Sequence, residues 1–175
     1  MKINWEKIWS NKAQNIVKNL DIKELLKLNG HDSINGTIKE QDWLRYQKWI
    51  YKKLDLKAND SIFEVGCGCG AFLIYFSNKG HKVGGIDYSK NLLNVSKKIL
   101  KKGHFETKSA IDLDPGLKYD IILANSVFHY FPDKLYAKTV TNLMFRKAIK
   151  KVAILDLCKI SYPYNKNHLT FDLEF

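Results

Sequence analysis

Between residues 61 and 71 the chain reads Ser61-Ile62-Phe63-Glu64-Val65-Gly66-Cys67-Gly68-Cys69-Gly70-Ala71, a short apolar run that breaks into three alternating glycines. Glycine at Gly66, Gly68 and Gly70 permits a sharp turn and lets backbone approach a ligand with no Cβ in the way. The stretch that follows, Ala71 to Lys79, reads as a helix stopped by Gly80. A strand, a glycine loop and a helix in this order constrain the chain toward a parallel sheet. Such sheets bind ligands beyond the carboxyl ends of their strands, close to the point where strand order reverses.

The unit then repeats. His81 to Ile86 gives a second strand ending at Asp87, and Ser89 can cap a helix that carries Leu92, Leu93, Ile99 and Leu100 up to Gly103. Further strands are expected near His104 to Lys108, Tyr119 to Ala124 and Lys151 to Leu157, with a helix from Asp133 to Ile149 between the last two. Strands alternating with helices predict an α/β fold, a doubly wound and mostly parallel sheet. Upstream, Trp43, Tyr46, Ile50 and Leu54 recur at helical spacing between Lys39 and Leu54. Residues 1–38 hold amphipathic stretches broken by Asn29-Gly30 and Asn35-Gly36, which predicts a helical cap on a domain of residues 39–175.

A chain of 175 residues can bury one good core and needs no second domain. The net charge of +11 raises the question of a nucleic-acid partner. That partner is not favoured: Arg45 and Arg146 are the only arginines, and arginine is the residue that grips phosphate and guanine in bidentate fashion. Cys67, Cys69 and Cys158 match neither a disulfide framework nor a zinc site, so reduced thiols and no metal are expected. The sequence contains no apolar stretch approaching ~20 residues and opens without a signal-peptide pattern, so a cytoplasmic protein without membrane contact is expected.

Gly66, Gly68 and Ala71 satisfy the loose dinucleotide pattern G-x-G-x-x-G/A, which alone says little. Two acidic residues sharpen it. Glu64 precedes the first glycine by two positions, and Asp87 ends the second strand, where its carboxylate can accept from both hydroxyls of a ribose. The run Glu64 to Gly70, followed by Gly84-Gly85-Ile86-Asp87-Tyr88-Ser89, closely resembles the first two motifs of class I (Rossmann-like) S-adenosylmethionine-dependent methyltransferases. The resemblance implies that the loop Gly66, Cys67, Gly68 and Gly70 packs on the methionine part of S-adenosylmethionine. Glu64 orients that loop or meets the ammonium through water, and Asp87, with Tyr88 beside it, holds the ribose. The thiols of Cys67 and Cys69 read better as small packing groups.

In this family an acidic residue usually stands about eleven positions before the Asp that opens the fourth strand, and it meets the adenine. Here Ser109 takes that place, so the adenine is read by Ser109 and the backbone of Ala110 and Ile111, or else by Asp112. The fourth strand runs into Asn125-Ser126-Val127-Phe128-His129-Tyr130-Phe131, which resembles the fourth motif and puts Asn125 and Ser126 beside the cofactor. Enzymes of the family that methylate base amino groups carry two prolines where Ser126 and Val127 stand, which counts against that acceptor. His129 is the candidate general base, a packed loop histidine being the alternative. Tyr130 and Phe131 line the acceptor pocket or pack under the next helix. Trp5 and Trp9, four residues apart, form a core stripe or a cap over the site.

Family members add a helix and an antiparallel strand pair after the fifth strand. Eighteen residues follow Leu157 here, so the sheet is expected to be shortened. Residues 168–174 alternate with a period of two and predict a strand paired antiparallel beside the fifth, because the connection is too short for a helical crossover. An uncovered edge would favour self-association. The expected activity is in-line methyl transfer to a small-molecule or glycan-precursor acceptor, where orientation of the reactants supplies much of the rate. The competing readings are an RNA methyltransferase, a non-catalytic module that binds cofactor or a partner, and, more distantly, a nicotinamide-dependent oxidoreductase.

Overall fold

Strand β1, Ile62–Val65, is buried along its whole length and sends alternate side chains to opposite sides. Ile62 enters one apolar cluster, while Phe63 and Val65 enter another, as a period of two requires of a central strand. In the computed structural model, which describes residues 5–11, 20–33, 36–157 and 167–172, β1 is flanked by β2 (Val83–Asp87) and β4 (Tyr119–Asn125). Strand β3 (His104–Thr107) pairs outside β2, and β5 (Ala148–Leu155) pairs outside β4. All four pairings are parallel, and the order is β3-β2-β1-β4-β5. The chain therefore winds outward from β1 one way, crosses back, and winds outward the other way, so order reverses between β1 and β4.

Among the described residues six helices accompany the sheet: α1 (Trp5–Asn11), α2 (Ile22–Leu28), α3 (Glu40–Leu54), α4 (Leu73–Asn78), α5 (Lys90–Ile99) and α6 (Lys134–Lys147). Trp43, Ile50 and Leu54 of α3, Leu73 and Phe76 of α4 and Leu93 of α5 share a core with Ile62, Val83 and Ile121. Ala137, Val140 and Met144 of α6 cover the other face against Phe63, Ile86 and Ile122. This is the doubly wound α/β architecture that the alternating pattern predicts. Gln47, on the buried face of α3, donates from Nε2 to the Phe72 carbonyl at 3.0 Å and so ties that helix to the start of α4. The Ser89 hydroxyl caps α5 as expected, accepting the Leu92 N–H at 3.3 Å.

The glycine pair in β2 has a packing reason. A Cβ on Gly85 would come within 2.8 Å of the Glu64 carbonyl and 2.7 Å of Cys67 Sγ, so only glycine lets β2 close on β1 with the Cys67 side chain between them. Below the sheet, at the amino ends of the strands, Asp120 accepts from both the backbone and the hydroxyl of Ser61, at 2.8 Å each. Lys150 bridges Asp120, at 2.9 Å, to the buried Asp60. That network ties β1, β4 and β5 together at the end remote from the glycine loop.

The expected first strand, second strand and α6 appear within a few residues of their predicted bounds. Strand β5 begins at Ala148, three residues earlier than expected, because α6 stops at Lys147. Residues 168–172 depart from expectation more. Within them only Phe171 forms a bridge, and no strand is built beside β5. The Leu169 N–H donates instead to the His129 carbonyl at 2.9 Å, and Leu169 and Phe171 pack on the Phe128 side of the core. Burying those two side chains beside α6 wins over extending the sheet. Residues 173 and 174 of the predicted strand, and Cys158, lie outside the described residues.

Helix α1 docks on the corner between β2 and α5 through its own carbonyls. They accept from Tyr88 (Oη to Trp5 O, 3.4 Å), Ser89 (Oγ to Trp9 O, 3.1 Å) and Asn91 (Nδ2 to Ser10 O, 2.8 Å). Helix α2 ends at Asn29, whose Oδ1 accepts the Cys69 N–H at 2.9 Å. Both N-terminal helices thus lie against the loops at the carboxyl ends of the strands.

Candidate functional site

The carboxyl ends of β1, β2, β3 and β4 surround a cavity of about 810 Å³, toward the upper end of the ~300–1,000 Å³ usual for small-molecule sites. It lies where strand order reverses. Of the residues singled out in the sequence, Glu64, Gly66, Gly68, Asp87, Tyr88, Ser109, Ala110, Ile111, Asn125 and Ser126 all line it.

Glu64 is 1% exposed, and its Oε2 has no hydrogen-bond partner. Burial, reinforced by the charge of Asp87, pushes its carboxyl well above the ordinary range. A partnerless carboxyl group in the cavity lining, held neutral by burial, suits a ligand that brings a donor and a positive charge, such as an ammonium, which would draw it into its charged form. Gly66 and Gly68 adopt φ of +73° and +51°, and a Cβ on Gly68 would fall 2.4 Å from Asn29 Oδ1. Their backbone forms a cradle that side chains would close.

Asp87 accepts the Gly68 N–H on one oxygen at 2.9 Å and the Ser89 N–H on the other at 2.8 Å. Burial outweighs these two bonds and pushes its carboxyl up to about 6. Each oxygen retains a second lone pair, so the group can still accept from a pair of neighbouring hydroxyls. Beyond β3, Ala110–Asp112 forms a single 3₁₀ turn. Ser109 and Ala110 face the cavity, the Ile111 N–H donates to the Tyr136 hydroxyl at 3.2 Å, and Asp112 is exposed and off the lining. The alternative in which Asp112 reads a bound ring is therefore not the geometry present.

At the end of β4 the Asn125 Oδ1 accepts the Tyr46 hydroxyl at 2.7 Å. Ser126 is left-handed, with φ +58°, and its hydroxyl donates to Asp156, itself at φ +58°, at 2.6 Å. Two non-glycine residues in this region, bonded to each other at the mouths of β4 and β5, are a strained pair of the kind that clusters at functional sites.

Three sequence-chosen residues fall elsewhere. The Cys67 side chain is buried against Gly85, and Gly70 turns toward Ser96 and Leu100; neither lines the cavity. The thiols of Cys67 and Cys69 are both buried, and burial pushes them up, to about 12 for Cys69. His129 is buried behind Tyr130, with ring centroids 4.1 Å apart, and bonds to the Asp156 backbone. Burial lowers it to about 4, so its imidazole stays neutral and accepts protons poorly. His168, which does line the cavity, lies tilted against the His129 ring, with 4.7 Å between centroids and 49° between planes. Sequence reasoning also missed Asn29, Tyr46 and Asp156. Asn29 carried a turn signal and Tyr46 a helical-face signal, whereas Asp156 and His168 carried none.

Among the described residues no group of three His, Cys, Asp or Glu is placed to hold a metal ion, and no helix is long and apolar enough to cross a membrane.

Residues 63–146 match the family model described as a methyltransferase domain. Over 70 residues, 38% of the chain, the sequence is 33% identical to a demethylmenaquinone methyltransferase of Oceanobacillus iheyensis, and the match spans 29% of that curated relative. Among solved structures, the magnesium protoporphyrin IX methyltransferase of Synechocystis with bound S-adenosylmethionine superposes with a TM-score of 0.61 at 18% identity. That likeness covers 96% of this chain and 74% of the other. A sugar N-methyltransferase from Streptoalloteichus superposes with a TM-score of 0.65 at 15% identity, over 85% of this chain and 60% of that one. At these identities the solved structures speak for the fold.

Proposed function

We propose that this chain is a class I S-adenosylmethionine-dependent methyltransferase and that it transfers a methyl group to a small-molecule or glycan-precursor acceptor. The observation that carries this reading is the partnerless, buried Glu64 carboxylate facing the same cavity as Asp87. Glu64 and the Gly66 and Gly68 backbone would hold the methionine end, and Asp87 the ribose hydroxyls, with Tyr88 alongside. Ser109, Ala110 and Ile111 would flank the adenine, and Asn125 and Ser126 would lie next to the reacting centre. When bound, S-adenosylmethionine supplies a methyl group made electrophilic by its sulfonium.

The work left to the protein is alignment and exclusion of water. Tyr46 and Asp156 fix Asn125 and Ser126 from behind, so the end of β4 presents a rigid edge to the ligand. Helices α1 and α2 would act as a cap: α1 roofs the β2 side and Asn29 rests on the glycine loop, closing the cavity over the acceptor. His129, buried and neutral, serves as packing for Tyr130; an acceptor that must lose a proton would find His168 nearer.

Isothermal titration of the full chain with S-adenosylmethionine and S-adenosylhomocysteine, with NAD as control, tests the reading. Micromolar binding of the first two alone supports it. A folded sample that binds neither would hand the lead to the non-catalytic module.

A further inference from the structure

Four rings from three separate segments meet along the cavity: Trp5 and Trp9 from α1, Tyr130 from the turn after β4, and His168 from the tail. Trp5, Tyr130 and His168 form a near-equilateral triangle, with centroid separations of 4.8, 5.2 and 5.3 Å, and Trp9 adds a contact to Tyr130 at 5.5 Å. These are distances of rings in direct contact. A cage for an ammonium leaves a gap between its rings for the cation, and this cluster has none. It forms a continuous wall.

The wall is not explained by core packing alone. All four residues border the cavity, and the Tyr130 hydroxyl has no hydrogen-bond partner among the described residues. Its ring is clamped on four sides, by Trp5, Trp9, His129 and His168, so the hydroxyl is held at a fixed place. Burial pushes it up to about 12, and it stays a phenol able to donate or accept. The acidic groups of the cavity, Glu64 and Asp87, stand at the ends of β1 and β2, on the side assigned to the cofactor.

We infer that the wall of Trp5, Trp9, Tyr130 and His168 is the acceptor subsite, and that it selects an acceptor built on a flat aromatic ring with a polar substituent that meets the Tyr130 hydroxyl. The inference rests on the methyl-transfer reading above and chooses among its acceptors. A flat ring buries its face on such a wall, whereas a hydroxyl-rich sugar would leave polar groups without partners there. Because the rings come from α1, the β4 turn and the tail, the subsite exists only when all three are in place.

The full chain is first titrated with S-adenosylhomocysteine; absence of binding overturns the methyl-transfer reading, and this inference with it. The saturated protein is then titrated with 1-naphthol as the ring probe, and with glucosamine and choline as sugar and cation probes. The expected result is saturable binding of 1-naphthol at least about tenfold tighter than either of the others. Tyr130→Phe, which keeps the ring, should weaken 1-naphthol by roughly fivefold through the lost hydrogen bond, and Trp5→Leu by more. Trp49→Leu, at an exposed tryptophan outside the cavity, should leave it unchanged. Equal or tighter binding of glucosamine or choline, or parental 1-naphthol affinity in both Tyr130→Phe and Trp5→Leu, overturns the assignment.

Discussion

At the scale of single residues the balance in Asp87 is between two opposed effects. Its two backbone hydrogen bonds favour the charge and burial disfavours it, and burial wins, since the folded value of about 6 lies above the ordinary 3.8. The sign of the linkage follows. Stability from this group is fully present below about pH 4 and is lost as pH rises through about 6, a difference of about 3 kcal/mol when complete. Asp87→Asn lacks that loss, so its melting temperature relative to the parent should rise between pH 5 and pH 7.5; a constant offset would refute the raised value. The same variant should bind S-adenosylhomocysteine about tenfold or more weakly at pH 7.5, by calorimetry, because one carboxylate oxygen becomes an amide donor. His129 titrates in the opposite sense, its lowered value removing stability as pH falls from about 6.5 toward 4, which is why the comparison must be made against the variant. The placing of Glu64 and Asp87 at the cavity was legible in the sequence because each carboxylate stands at a strand end close to glycines. Asp156 and His168 were not, because their roles arise from contacts across thirty or more residues of chain.

Elements hold their positions through a few anchors. Lys147, the last residue of α6, is 3% exposed; its ammonium donates to the carbonyls of Asp114 at 2.8 Å and Leu117 at 2.6 Å and lies over the Phe63 ring. It ends the helix, fixes the loop into β4, and sets where β5 starts. Lys147→Ala should lower stability by about 2 kcal/mol in urea unfolding, because the buried Lys147 stem leaves a gap against Phe63 and Tyr119 and two loop carbonyls lose their donor. A change within ~0.5 kcal/mol would show that water replaces the ammonium. This anchor also explains why β5 was misread by three residues: the pattern Ala148-Ile149-Lys150-Lys151 carries no strong strand signal, and only the buried Lys147 side chain makes α6 stop there. The tail was misread for a related reason. A period of two is equally satisfied by an extended segment that lays Leu169 and Phe171 on α6 and spends its N–H on His129. The strand and helix alternation itself was legible because each element carries its own period and its own stop.

For the molecule as a whole, β5 ends the sheet, and among the described residues no strand pairs with its outer edge. Ile149 on that strand is 61% exposed. Unpaired backbone beside an exposed apolar side chain invites a second copy. Sedimentation velocity from one to a hundred micromolar, roughly the range over which weak edge pairing shows, should reveal a concentration-dependent dimer that Ile149→Lys suppresses. A monomer throughout would mean that the edge is not used. The cavity, by contrast, draws on nearly every part of the chain, from Trp5 to Leu169, which is why its floor could be read from local motifs and its roof could not. The roof has one property with a longer reach. Helix α1 is docked in part by its own carbonyls, which accept from Tyr88, Ser89 and Asn91, so that share of its anchorage does not depend on which side chains it carries. Natural variation that rewrites Trp5 and Trp9 therefore leaves these three bonds in place, and on the reading proposed above descendants of this chain could change acceptor while inheriting the same cavity floor.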